Sequence, residues 1–67
     1  MAVNDRKILD IIRTHNELLE RELYEMIYIE FGRSEEVKKA VDETLSRMDR
    51  YGVITRKDGI VAYKKLL

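Results

Sequence analysis

The sequence predicts an α+β domain: three helices followed by a C-terminal two-stranded β-hairpin. Three observations carry this prediction. Val37, Ala40, Val41, Thr44, Leu45 and Met48 recur at helical spacing between Ser34 and Gly52. Two short apolar runs then flank Asp58-Gly59, a dipeptide suited to the type I′ turn, in which both central residues take positive φ. Two further amphipathic segments precede them, separated by Thr14-His15-Asn16 and by Gly32-Arg33-Ser34.

Taken in order, Met1 to Asn4 read as a frayed start. Asn4 or Asp5 supplies the cap of helix one, predicted over 5–14. Ile8, Leu9, Ile11 and Ile12 fall on one side of its wheel. The next residues, Glu-Leu-Leu-Glu, suit either the start of helix two or a short strand at 16–19 built on Leu18 and Leu19. Helix two is predicted over 20–31, with Leu23, Met26, Ile27 and Phe31 as its stripe and Gly32 as its stop. Tyr24 and Tyr28 lie on one flank of it and Ile29 on another. They either widen a small core or face a partner, since a tyrosine joins a large apolar face to a polar tip. Helix three is predicted over 34–51, opened by the Ser34 hydroxyl, with Glu35 and Glu36 where the helix dipole favours negative charge. The hairpin follows at 53–57 and 60–65, and no linker, repeat or low-complexity stretch interrupts the chain.

Composition narrows the function classes. With 67 residues and 45% apolar content, the chain is one small globular domain. It has no cysteine and one histidine, so neither a disulfide framework nor a thiolate or histidine-rich metal site is expected. No apolar run approaches the roughly 20 residues of a membrane span. A soluble, cytoplasmic protein without a membrane partner is expected. The absence of Gln, Trp, Pro and Cys, with 39% charged residues, is the profile of a thermophile's protein.

Charge argues two ways. Thirteen basic residues balance thirteen acidic ones, whereas a domain that grips nucleic-acid phosphates usually carries a basic excess. On helix three the outward positions hold Lys38, Lys39, Arg47 and Arg50, but also Glu35, Asp42, Glu43 and Asp49. Lys38–Asp42, Lys39–Glu43 and Glu43–Arg47 are spaced i,i+4 and read equally well as a self-neutralised solvent face. The hairpin is more clearly basic, with Arg56, Lys57, Lys64 and Lys65 against Asp58 alone. Together with Arg47 and Arg50 these cations suit phosphate contact, or the protection of exposed strand edges.

No catalytic constellation stands out. His15 is alone, the glycines sit where caps and a turn need them, and Glu20/Glu22 and Glu35/Glu36 are not paired acid and base. Neither enzymatic activity, a cofactor nor a small-molecule ligand is expected.

The run Glu22-Leu23-Tyr24-Glu25, the helix-three stripe, Tyr51-Gly52-Val53-Ile54 and Asp58-Gly59 together resemble the winged helix-turn-helix superfamily, notably small archaeal transcription-regulator-like domains. The resemblance spans nearly the whole chain. It favours the short strand at 16–19, paired with the hairpin. It implies a DNA-binding winged helix, acting as a dimeric transcriptional regulator on double-stranded DNA, with Lys38, Lys39, Arg47, Arg50, Arg56, Lys57 and Lys64 as the contacts. The neutral charge balance and the acidic centre of helix three depart from that pattern. They shift the expected contact to the wing and the last turn of helix three. Winged helices also serve as protein-interaction modules. In that reading Tyr24, Tyr28 and Ile29 are the partner surface, and the chain is a terminal domain of a larger replication or transcription factor.

Overall fold

Asn4 opens the first element: its Oδ1 accepts the Lys7 N–H at 2.8 Å, which leaves the Asp5 carboxylate available for other contacts. The computed structural model describes residues 3–64. Helix α1 spans Asp5–His15, one residue beyond the predicted 5–14. The His15 ring extends it, its Nδ1–H donating to the Ile11 carbonyl at 2.8 Å. Asn16 then reverses the chain at φ 67°, a conformation Asn tolerates better than most residues.

Strand β1 is Glu17–Leu19, and helix α2 follows at once over Glu20–Phe31. The Glu22 carboxylate closes the start of α2 by accepting the Leu19 N–H at 3.4 Å. Gly32, at φ 96°, closes its end by donating to the Tyr28 carbonyl at 2.8 Å. Helix α3 spans Glu35–Arg50, one residue shorter at each end than the predicted 34–51, with Ser34 as its N-cap, as expected, and Tyr51 as its C-cap. The Ser34 hydroxyl accepts the Val37 N–H at 3.1 Å.

The C-terminus of α3 uses a Schellman arrangement. The Gly52 N–H reaches Asp49 O at 3.1 Å and the Val53 N–H reaches Met48 O at 2.9 Å, with Gly52 at φ 77°. A Cβ on Gly52 would meet nothing within 4 Å, so only its backbone conformation resists substitution. Gly52→Ala is expected to destabilise the fold by about 1 kcal/mol, the strain of a left-handed residue. Urea unfolding measures it, and an unchanged midpoint would contradict this account.

Strands β2 (Ile54–Lys57) and β3 (Ile60–Tyr63) are shorter than the predicted 53–57 and 60–65. The Val53 N–H is committed to the helix end, although its carbonyl still accepts the Lys64 N–H at 3.0 Å. Lys65 lies outside the described residues. Asp58 and Gly59 turn the hairpin at φ 53° and 77°. The hairpin is part of a three-stranded antiparallel sheet ordered β1-β3-β2. Leu18 faces Val61 in one ladder and Arg56 faces Val61 in the other.

Every element supplies the core. Ile8 and Ile12 come from α1, Leu18 from β1, Leu23 and Ile27 from α2, and Val41, Leu45 and Met48 from α3. Ile54 and Val61 come from β2 and β3. Burying each such side chain contributes about 2 kcal/mol. Thr44 is buried too, and its hydroxyl donates to Asp5 Oδ1 at 2.9 Å. Among the described residues, no buried side-chain nitrogen or oxygen lacks a hydrogen bond, and no helix is long and apolar enough to cross a membrane.

Candidate nucleic-acid interface

Helices α2 and α3 are joined by residues 32–34, and β2 packs against α3. The hairpin therefore lies beside α3, and the basic residues singled out in the sequence fall into three sets.

The first set is committed to ion pairs within the fold. Arg56 lies on the inner side of the sheet, two residues from buried Ile54 and opposite buried Val61. Its Nε and Nη2 reach Glu20 Oε2 and Oε1 at 2.9 and 2.7 Å. Nη2 also donates to Asp42 Oδ1 at 2.6 Å, and Nη1 to Ser46 Oγ at 3.0 Å. One guanidinium thus ties the hairpin to the first residue of α2 and the middle of α3. Two carboxylates around it hold its pKa well above the ordinary arginine value, Glu20 most strongly. The Arg56 hydrogen bond in turn holds the Asp42 carboxyl below the usual carboxylate range. Arg47 is committed as well, donating to Asp5 Oδ2 at 2.6 Å and holding the Asp5 carboxyl low.

Of the two readings of helix three, the i,i+4 pairing is not the one the side chains take: Lys38–Asp42, Lys39–Glu43 and Glu43–Arg47 are not in ion-pair range. Asp42 turns to Arg56 and Arg47 turns to Asp5, so neutralisation runs between elements instead of along one face. The tertiary partners win because each offers a charge-assisted bond with a second acceptor or donor already in place.

The second set is Lys38, Lys39 and Arg50, exposed on α3 with no carboxylate in ion-pair range among the described residues. The third is Lys57 and Lys64, exposed and unpaired in the same sense. By strand alternation from Ile54 and Tyr63 they lie on the outward side of the sheet. The cations that the sequence offers together for phosphate contact are therefore divided. The two arginines hold elements together, and the lysines and Arg50 remain available.

The aromatic candidates are also engaged. Tyr24 is half-buried against the core, and its hydroxyl donates to Asp42 Oδ1 at 3.4 Å. Burial, with Asp42 and Glu20 nearby, pushes its phenol up to about 12. Because ionisation is disfavoured in the fold, the stability this gives is complete below the unfolded tyrosine value near 10. It is lost as pH rises from there toward 12. Tyr24→Phe is expected to flatten the alkaline fall in melting temperature over that window, and an unchanged slope would contradict it. Tyr28 stacks 6.1 Å from Tyr24, centroid to centroid, and carries the Arg33 guanidinium 4.6 Å above its ring. Arg33 is held there by two bonds to Glu25, at 2.8 and 2.9 Å. Ile29 alone of the three stands free, 85% exposed.

The sequence reading missed Glu20, Asp5 and Ser46 as partners of the arginines. One signal for Arg56 was present: it shares the parity of Ile54 along β2, so it points inward. Nothing local marks Glu20 or Asp5, which lie 36 and 42 residues from the arginines they hold.

Among the described residues, no group of three or more His, Cys, Asp or Glu side chains is placed to hold a metal ion. Comparison of the chain with protein-family models, curated proteins and solved structures finds no match in any of the three.

Proposed function

We propose that this chain is a winged-helix DNA-binding module that contacts duplex phosphates through Lys38, Lys39 and Arg50 of α3 and Lys57 and Lys64 of the wing. In this reading it acts as a small transcriptional regulator. The observation that carries the proposal is the set of five cations on α3 and the hairpin with no ion-pair partner among the described residues, while Arg47 and Arg56 are neutralised within the fold. The order of three helices, with a short strand completing a hairpin sheet, supports the same reading. Asp42, at the centre of the outward face of α3, is partly offset by Arg56, which lowers the repulsion that the sequence alone implies. The lysines bring point charges rather than bidentate base readers, which favours backbone contact over sequence readout.

Duplex binding measured by anisotropy against salt tests this. Five phosphate contacts give a slope of log K on log salt of about −4 to −5. Lys38→Glu with Lys57→Glu is expected to reduce affinity at low salt by at least about tenfold. No binding at low salt, or a flat salt dependence, overturns the reading.

The exposure of Ile29 favours a second reading, a protein-interaction winged helix that uses this side of α2 within a larger assembly. Sedimentation of the chain and of Ile29→Ser separates the two. A strictly monomeric chain with salt-dependent duplex binding counts against the interaction module.

A further inference from the structure

We propose that Asp42 is an autoinhibitory gate on Arg56, competing with nucleic-acid phosphate for the same guanidinium nitrogen; this rests on the duplex-binding reading. The two carboxylates around Arg56 are not equivalent. Glu20 takes the Nε–Nη2 edge with both oxygens, and the side chains of Arg56 and Glu20 are each only 21% exposed. Glu20 is further fixed by its backbone N–H, which donates to the Gly59 carbonyl at 2.8 Å beside the hairpin turn. Asp42 takes only the second hydrogen of Nη2, through one oxygen at 2.6 Å, and its side chain is 55% exposed. It also sits one helical turn beyond Lys38 and three residues beyond Lys39.

A phosphate drawn to Lys38 and Lys39 therefore arrives beside an exposed carboxylate that shields a guanidinium hydrogen. With both carboxylates in place the trio of Glu20, Asp42 and Arg56 carries a net charge of about −1 and repels the phosphate. If the phosphate displaces Asp42, Nη2 exchanges one charge-assisted hydrogen bond for another, Asp42 gives up its long 3.4 Å bond from the Tyr24 hydroxyl, and the Glu20 clamp need not move. Arg56 then joins the binding surface without losing its structural role. The wing cation is held in reserve by the intact protein, which keeps weak phosphate encounters from engaging it.

A double-mutant cycle tests the gate. Duplex affinity at low salt is measured for the wild type, Asp42→Asn, Arg56→Met and the double variant, with thermal melts verifying that each folds. Asp42→Asn is expected to tighten binding about tenfold when Arg56 is present and less than about twofold when it is Met. An equal gain in both backgrounds means that Asp42 acts only by repulsion and overturns the gate, as does no gain at all. If Arg56→Met does not fold, the guanidinium resonances of wild-type Arg56 decide. On adding duplex, Nη2 is expected to shift while Nε keeps its Glu20-bonded position, and unmoved Nη2 resonances overturn the gate. Absence of binding by both wild type and Asp42→Asn defeats the duplex reading itself, an outcome distinct from binding without coupling.

Discussion

Leu45→Ala is expected to destabilise the fold by about 3 kcal/mol. Leu45 is fully buried and belongs to a cluster drawn from all six elements. Truncation removes its transfer free energy and leaves a void that the neighbours fill only in part. A domain of 67 residues has a total stability of only about 3–10 kcal/mol. The variant is therefore expected to be largely unfolded in moderate urea, where the parent still gives a full helical signal by circular dichroism. Ile29→Ala is the control. At 85% exposure its removal is expected to shift stability by no more than about 0.5 kcal/mol. Comparable losses in the two variants would show that the core is not where the packing places it.

Arg56→Ala is the second large effect, expected at about 2 kcal/mol of lost stability. The loss comes less from the attraction removed than from what stays behind. Glu20 keeps a carboxylate that is mostly shielded from water and has lost its bidentate partner, and the hairpin loses its tie to α2 and α3. Arg56→Lys is expected to recover only part of this, because an ammonium cannot serve Glu20, Asp42 and Ser46 from one planar fork. Asp42→Asn, by contrast, is expected to leave the melting temperature nearly unchanged, since Asp42 is itself more than half exposed and Arg56 keeps its bidentate bond to Glu20. Full stability in Arg56→Ala, read by thermal unfolding, would mean that the cluster is a surface pairing without structural weight. A variant such as Arg56→Glu would disrupt this cluster as well as any phosphate contact, so charge reversal at Arg56 is a poor probe of binding.

Local chemistry along the chain sets most of the elements and their punctuation. Ser34 acts through its hydroxyl on the amide three residues on, and Gly32, Gly52 and Asp58-Gly59 through their own backbones, so their roles are readable without knowing what lies elsewhere. The apolar stripes were readable for the same reason: helical period and strand alternation decide which side of an element seeks the core. The short strand was not decided by its own residues: Leu18 and Leu19 suit a helix start equally well, and only the pairing with β3 makes 17–19 a strand. The tertiary structure alone decided the fate of the charges. A guanidinium on a flexible stem takes the best-placed carboxylate in space, and for Arg56 and Arg47 that carboxylate lies on a distant element rather than one helical turn away. Basic residues adjacent in sequence, such as Arg56 and Lys57, are thereby assigned opposite tasks, one holding the fold together and the other facing solvent.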